Sequence, residues 1–186
     1  MCLHLPIRTR RLELRDFRQD DIGAIHAYRS DLHVTRFMFF GPDTIEETRA
    51  YMSTVFEAKS AEPRRVWELA VVQASNARVI GGCDLTFEGT DQADLGYILS
   101  RGAWSRGYAT EIARTLLQRG FLDLGLRRIF ATCDRENNAS RRVLIKAGLR
   151  FESVINRHRH AKNRWWDSEL YAITRNDWFA RREADA

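Results

Sequence analysis

The chain has 186 residues, of which 44% are hydrophobic, 11% aromatic and 30% charged. This length and composition predict one packed domain spanning residues 1–186 and exclude a disordered chain, and no run approaches the roughly 18 apolar residues of a membrane span. The net charge of +5 favours an anionic partner such as a phosphorylated cofactor, an acidic substrate, RNA or a membrane surface, and charge alone does not choose among them.

The first half of the chain predicts a strand, two helices and a three-stranded meander. Apolar residues alternate over 12–17, which favours a strand with one buried face. Two short amphipathic helices follow, one after the acidic pair 20–21 and one after the capping box at residues 44–47. We expect the next three strands, at residues 67–72, 79–87 and 95–99, to pair antiparallel.

The second half predicts a strand–helix–strand unit followed by a helix, a strand pair and a last helix. The clearest helical stripe runs over residues 109–124, and the strand at 128–133 should lie parallel to the strand before that helix. The next helix begins at Asn137 or Asn138 and ends at Gly148. Strands near 151–157 and 165–173 precede a C-terminal helix, so the order is β-α-α-β-β-β-α-β-α-β-β-α, an α+β fold.

The cysteines and the start of the chain bear on location. Cys2, Cys83 and Cys133 are widely separated and form no C-x-x-C pair, so we expect neither a disulfide framework nor a zinc site. The first residues lack the basic and apolar regions of a secretion signal. We therefore expect a cytoplasmic protein with no metal and no membrane partner.

The most informative stretch, residues 97–111, joins a strand to the long helix. A helix N-terminus has unpaired amides and partial positive charge, which makes it a natural phosphate site. Gly107 and Ala109 would let a diphosphate approach the backbone, and Arg106 adds a full charge. The structural alternative is that Gly107 only permits a tight turn.

Other phosphate motifs fit this stretch poorly. Gly102 and Gly107 have the glycine spacing of a P-loop, but Tyr108 and Ala109 occupy the positions at which a P-loop needs Lys and Ser or Thr. The chain contains no G-x-G-x-x-G dinucleotide fingerprint. We therefore exclude nucleoside triphosphates and NAD.

Three motifs in order resemble the GNAT acetyltransferase superfamily, and within it the ribosomal-protein N-terminal acetyltransferases. W-S-R-G-Y-A-T-E at residues 104–111 resembles that branch's W-G-K-G-Y-A-T-E, with Ser105 in place of the first Gly. N-N-A-S-R-R-V-L-I-K-A-G-L at 137–149 resembles N-x-A-S-x-R-V-L-x-K-x-G-F, and T-R-R-L-E-L-R at 9–15 resembles T-x-R-L-x-L-R. The resemblance implies the GNAT fold, a central mixed sheet of six or seven strands flanked by helices.

The resemblance also implies acetyl-CoA as co-substrate. The CoA diphosphate would lie against the amides of five consecutive residues, Arg106, Gly107, Tyr108, Ala109 and Thr110. The pantetheine arm would pair with the backbone of Ile98 and Leu99 in an opening between the two parallel strands. An amide on the same strand would face the thioester oxygen, where one oriented donor can lower the barrier by about 3 kcal/mol.

Two residues at the start of the helix after the opening are candidates for catalysis. Ser140 aligns with the family serine near the expected CoA sulfur, where its hydroxyl would hydrogen bond to the departing thiolate. Asn137 would orient the cofactor or the substrate. Both have a structural alternative, because serine and asparagine also cap helices, and Asn138 competes for that position.

The base that neutralises the attacking amine is not clear from the sequence. Members of the ribosomal branch can have an acidic residue where this chain has R-H-R-H at 157–160. His160, or His158 on the same side of a strand, titrates near neutrality and could serve as the base, with an ordinary surface or core histidine as the structural alternative. Further acidic alternatives lie on predicted strands: Asp84, Glu88 and Asp167.

The predicted function is direct transfer of an acetyl group from acetyl-CoA to a primary amine. The acceptor stays open between a protein N-terminus and a small amine such as an antibiotic, a polyamine or an amino acid, and the acyl group could be larger than acetyl. The alternative class is a non-catalytic GNAT-like or basic RNA- or ribosome-binding module, but dispersed cations and missing RNA motifs argue against a nucleic-acid partner. The resemblance is also compatible with a homodimer.

Overall fold

The computed structural model describes residues 2–184, which form one sheet with helices on both faces. Within these residues the strands are β1 (Ile7–Arg8), β2 (Leu12–Asp16), β3 (Val66–Gln73), β4 (Val79–Glu88), β5 (Gln92–Leu99), β6 (Arg128–Asp134), β7 (Arg150–Ala161) and β8 (Arg164–Thr174). The α-helices are α1 (Ile22–Arg29), α2 (Ile45–Ser60), α3 (Tyr108–Leu122), α4 (Asn138–Ala147) and α5 (Arg175–Ala184). The strand order is β1-β2-β3-β4-β5-β6-β8-β7, with β5 and β6 parallel. The α+β class and the parallel unit are confirmed.

The described part of the chain has an eight-stranded sheet rather than the predicted six or seven strands. The additional strand is β1, in which Ile7 lies opposite Leu14 and Arg8 opposite Glu13. Two residues are too few to display the alternation by which strands are recognised in a sequence. Ile7 is nevertheless buried, so this short strand extends the core at the edge of the sheet.

Side chains of the central strands alternate between two faces, and each face packs against different helices. On what we call the α3 face, α3 covers a large apolar core that includes Leu85, Leu95, Ile112, Leu116 and Phe121. On the opposite side, the α1–α2 face, a smaller core contains Phe17, Ile25, Tyr28, Met52 and Val55. The alternation places Tyr97 of β5 on the first face and Gly96 on the second.

A glycine in the last turn of helix α3 faces the sheet. A Cβ atom at Gly120 would lie 2.6 Å from Ile129 Cδ1 of β6, so a larger residue there would require neighbouring side chains to shift. The helix ends before Gly125, which has a φ of +67°, and its observed span confirms the strongest helical prediction to within two residues at each end. No helix between residues 2 and 184 has the length and apolar character needed to cross a membrane.

Strands β5 and β6 pair only at their beginnings. The parallel register joins Gln92 to Arg128, Ala93 to Ile129 and Asp94 to Phe130. Beyond that point β5 continues to Leu99 and β6 to Asp134 without pairing to each other. The two strands therefore diverge and leave an opening at the centre of the sheet, where the sequence predicts one.

The β7–β8 hairpin crosses towards the segment that joins α1 to α2. Its turn residues Lys162 and Asn163 both have positive φ, which matches the twist of a two-residue hairpin turn. Lys162 Nζ donates to the backbone oxygen of Thr35 (2.7 Å). The ring of Phe39 packs edge-on against Trp166. These contacts hold the hairpin against the segment between α1 and α2.

Candidate active site

A cavity of about 610 Å³ lies in the opening between β5 and β6, a volume typical of small-molecule sites. Its walls come from the ends of both strands, the N-termini of α3 and α4, and residues 33–38 after α1. The candidate residues that line it are Ile98, Leu99, Gly107, Tyr108, Ala109, Thr110, Asn137 and Ser140. Both faces of β5 contribute, so the cavity passes from one side of the sheet to the other.

The N-terminus of α3 forms an open cradle of amides at one end of the cavity. Gly107 is the N-cap and has a left-handed φ of +78°, which glycine adopts without strain. The first intrahelical hydrogen bond runs from Glu111 N to Gly107 O (3.1 Å). The amides of Tyr108, Ala109 and Thr110 precede that bond and are free for an anion. The cradle fits a CoA diphosphate.

A cluster of hydrogen bonds fixes this cradle to β2 and the segment before it. Thr9 Oγ1 donates to Glu111 Oε1 (2.6 Å), and Arg11 Nε donates to Glu111 Oε2 (2.7 Å). Arg11 also donates to the backbone oxygen of Arg106 (2.8 Å). Desolvation opposes ionisation of Glu111, but the hydrogen bonds from Thr9 and Arg11 outweigh it and lower the pKa of that carboxyl. The motif at residues 9–15 therefore supports the motif at residues 104–111.

At the other end of the cavity, two hydroxyl groups meet. Tyr97 Oη and Ser140 Oγ lie 2.7 Å apart. Asn137 Oδ1 accepts a hydrogen bond from Ser140 N (3.0 Å), so Asn137 is the N-cap of α4 and still lines the cavity. Burial raises the pKa of Tyr97, which keeps its hydroxyl protonated and able to donate. The sequence did not identify Tyr97, although period-two alternation on β5 places it on the face that meets α4.

Cys133, at the end of β6, also lines the cavity. Desolvation, followed by the negative charge of Glu169, raises the pKa of its thiol to about 11. A thiol in that state is a poor nucleophile at neutral pH. The cysteine therefore packs against the site as a neutral group.

Two cations that the sequence did not single out complete the lining. Arg142 and Lys146 lie one turn apart on α4 and both border the cavity. Their spacing within the R-V-L-x-K motif is the signal that could have identified them. They add positive charge where an anionic ligand would lie along the helix.

Two predicted residues lie outside the cavity lining. Arg106 is exposed, and its backbone oxygen accepts from Arg11. His160 is exposed on β7, and its ring packs against Trp165 with centroids 5.2 Å apart. Nδ1 of the other histidine, His158, lies 2.9 Å from Ser168 Oγ. Desolvation lowers the pKa of His158. The structure thus does not bring the histidines together with the hydroxyl pair.

The fold and the cavity define a class of protein, and comparison with known families agrees with it. The acetyltransferase (GNAT) domain family matches residues 11–150, and the chain belongs to this family. It is 31% identical over 175 residues to the uncharacterized N-acetyltransferase YnaD of Bacillus subtilis, covering 94% of this chain and 99% of that protein. The protein is an acyl-CoA-dependent N-acyltransferase, and acetyl-CoA is its co-substrate.

Solved structures share the fold over nearly the whole chain. A GNAT-family acetyltransferase from Bacillus anthracis superposes with a TM-score of 0.81 at 30% identity, covering 91% of this chain and 98% of that one. The Vibrio cholerae spermidine N-acetyltransferase, solved with CoA and spermine, has a TM-score of 0.76 at 18% identity and covers 90% of this chain and 98% of its own. The second likeness concerns the fold alone.

Proposed function

We propose that the protein transfers an acetyl group from acetyl-CoA directly to a primary amine, either on a small molecule or at a protein N-terminus. The observation that carries the proposal is a single cavity that runs from the free amides of α3 to the hydroxyls of Tyr97 and Ser140. An anion-binding end and a proton-donating end in one cavity are what a thioester donor requires.

The amides of residues 106–110 hold the diphosphate, with Arg142 and Lys146 adding charge. The backbone of Ile98 and Leu99 lies beside the extended pantetheine arm, where β5 has no strand partner on the β6 side. Trp104 Nε1 donates to the backbone oxygen of Leu99 (2.8 Å), which fixes the end of β5 next to the cradle. With the diphosphate against the cradle and the arm along β5, the thioester would lie near Ser140.

The hydroxyls of Ser140 and Tyr97 stabilise the leaving thiolate. The pair is prealigned, so one hydroxyl can donate to the sulfur while the other donates to its neighbour. The protonated state of Cys133 argues against a route through an acyl-cysteine. Direct attack by the amine is therefore the simpler path.

The cradle is tested by isothermal titration of acetyl-CoA into Gly107→Glu. The added carboxylate lies where the diphosphate would bind, so affinity should fall by about 100-fold or more, or ~2.7 kcal/mol. Gly89→Glu is the matched control, because Gly89 also has positive φ (+71°) and an added Cβ there meets open space. Equal affinity for acetyl-CoA in the two folded variants would contradict the placement of the cofactor.

A further inference from the structure

A second cavity, of about 430 Å³, lies between the β7–β8 hairpin and the segment that joins α1 to α2. Three cationic side chains line it, those of Arg36, Lys162 and Arg164, and none of its lining residues in the described part of the chain is acidic. We call this cavity the basic pocket. The three cationic residues are exposed, so a ligand in solution can reach them. The charge and the volume of the pocket suit a small anionic group.

The basic pocket adjoins the cavity between β5 and β6. His33 and Arg36 line both, so the two cavities share a wall. Arg164 Nη2 lies 3.9 Å from Oδ2 of Asp134, which lines the first cavity. The backbone oxygen of Asp134 accepts from Asn137 N (2.9 Å), at the start of α4 beside the hydroxyl pair. The basic pocket therefore lies next to the hydroxyl end of the cavity, and no residue of the amide cradle lines it.

The guanidinium of Arg164 is held in place before any ligand binds. Its central carbon lies 3.5 Å from the centroid of the Trp166 ring, and the planar guanidinium suits such stacking. Trp166 is 2% exposed, and its Nε1 donates to the backbone oxygen of Ala161 (2.9 Å). Phe39 packs edge-on against the same ring. Because the distance to Asp134 is long for a hydrogen bond, the N–H groups of Arg164 stay available to an anion.

The other two cations of the basic pocket have no acidic partner. Within residues 2–184, neither Arg36 nor Lys162 forms a salt bridge. Lys162 Nζ donates to the backbone oxygen of Thr35 (2.7 Å), which uses one of the three N–H groups of an ammonium. Desolvation, followed by the charge of Arg164, lowers the pKa of Lys162, while the charge of Asp43 opposes the shift. An anion between the two cations would relieve their repulsion.

The donor does not need the charge of the basic pocket. The diphosphate of acetyl-CoA has the amide cradle, and Arg142 and Lys146 add charge along α4. None of these groups lines the basic pocket. The thioester end of the donor, which would lie near Ser140, is uncharged. Cations beside that end therefore favour a negative charge on the other substrate, the amine.

We propose that the basic pocket binds a carboxylate or phosphate of the acceptor, so that the acceptor is a small amine with an anionic group at its other end. This inference rests on the proposed acetyl transfer. Arg164 presents its planar N–H groups to two oxygens of the anion, and Lys162 adds a point charge. The amine then passes the wall shared by the two cavities and reaches the thioester near Ser140.

The lining of the basic pocket also indicates the form of this acceptor. Leu32 and Pro42 lie beside the cations and provide apolar surface for methylene groups. The shared wall of His33 and Arg36 separates the anion from the reacting amine. We therefore expect a spacer of several carbons rather than the single carbon of glycine.

The decisive experiment compares small amines that differ only in the anionic group. The pairs are 4-aminobutanoate with 4-aminobutanamide, and 3-aminopropyl phosphate with 3-aminopropanol. Thiol release is measured at saturating acetyl-CoA, and we expect kcat/KM for an anionic amine to exceed that for its neutral partner by about 10-fold or more. The pair with the larger ratio distinguishes a carboxylate from a phosphate. Equal values within both pairs, or turnover of neither anionic amine, would overturn the inference.

An acidic protein segment is the competing source of the same charge. Ala-Asp-Glu amide and Ala-Gly-Gly amide are compared in the same assay. We expect neither peptide to match the better small anionic amine in kcat/KM. Turnover of the acidic peptide alone would overturn the assignment of a small acceptor and leave acetyl transfer standing.

Charge-removing variants locate the preference in the basic pocket. Lys162→Gln and Arg164→Gln should each lower the anionic-to-neutral ratio by about 3- to 10-fold. Acetyl-CoA affinity, measured by isothermal titration, should be retained, because neither residue lines the cavity that holds the donor. Lys59→Gln is the matched control, since it removes an exposed lysine of α2 that lines neither cavity, and it should keep the wild-type ratio.

The variants also separate a local site from a general effect of charge. A wild-type ratio in both Lys162→Gln and Arg164→Gln would overturn the inference. An equal loss in Lys59→Gln would show that the preference reflects the net charge of the protein, which would overturn it as well. Wild-type protein that binds no acetyl-CoA would instead refute the proposed function.

Discussion

The amide cradle of the cavity and the carboxylates of the central strands are built in different ways. The cradle consists of backbone amides at the start of α3, held by a left-handed glycine and by hydrogen bonds from Thr9 and Arg11 to Glu111. The carboxylates are side chains of three neighbouring strands, Glu68 of β3, Asp84 of β4 and Asp94 of β5. Local backbone geometry needs a fixed order of residue types, whereas a side-chain cluster needs only neighbours in the sheet. The cradle therefore has a sequence motif and the carboxylate cluster does not.

The largest expected effect concerns the carboxylate cluster and the pH dependence of stability. Desolvation, followed by the charges of Glu68 and Asp94, raises the pKa of Asp84 to about 8 in the folded protein, against 3.8 as its ordinary value, so the folded state holds a proton that the unfolded state loses. The stability associated with the protonated form is complete below about pH 4 and is lost as pH rises towards 8, by roughly 1.4 kcal/mol per unit at most. Water that reaches the partly exposed carboxylate reduces this figure.

Asp84→Asn cannot ionise and should escape that loss. Urea unfolding of both proteins from about pH 4 to pH 9 should show the variant gaining stability relative to the wild type up to pH 8 and levelling above it. Glu57→Gln should follow the wild type throughout, because Glu57 is exposed. A difference between Asp84→Asn and the wild type that does not change with pH would mean that Asp84 is well solvated and would weaken the contrast between the cradle and the carboxylate cluster.

An intermediate effect is expected at Ser140, at the end of the cavity opposite the amide cradle. Ser140→Ala removes the hydroxyl that lies 2.7 Å from Tyr97 Oη, and kcat should fall by about 10- to 100-fold while acetyl-CoA affinity is retained. Tyr97→Phe should cause a similar loss, and the double variant should lose less than the sum because the hydroxyls act together. Unchanged kcat in a folded Ser140→Ala protein would remove the serine from the mechanism.

The contrast also explains what the sequence could predict. Strands and helices with long periodic patterns were identified to within a few residues, and the Thr44 capping box is present as predicted. The two-residue β1 was missed because it has no period. The motif residues 107–110, Asn137 and Ser140 line the cavity, and the sequence could single them out because they are consecutive or lie in one short motif. Tyr97 was missed because its partner is 43 residues away.

The acidic residues considered as the base also show what the sequence could not predict. Asp84, Glu88 and Asp167 could not be ranked in the sequence, since nothing local distinguishes a strand carboxylate beside a cavity from one beside solvent. In the structure Glu88 is exposed, and Asp167 accepts from Arg157 N (2.8 Å). Asp84 is distinguished by Gly96 on the neighbouring strand, a relation that exists only once the sheet has formed.

The smallest expected effect is at Asn137, where it tells whether the side chain only caps α4 or also takes part in catalysis. Its Oδ1 accepts from Ser140 N (3.0 Å), so Asn137→Ala should lower the free energy of unfolding by about 1 kcal/mol. Asn137→Asp keeps a cap and should keep both stability and kcat, whereas Asn138→Ala, one residue inside the helix and exposed, should change little. If Asn137 also orients the substrate, Asn137→Asp will lose turnover while unfolding like the wild type. Urea unfolding and kcat measured on the three variants together distinguish a cap from a residue that touches the reacting groups.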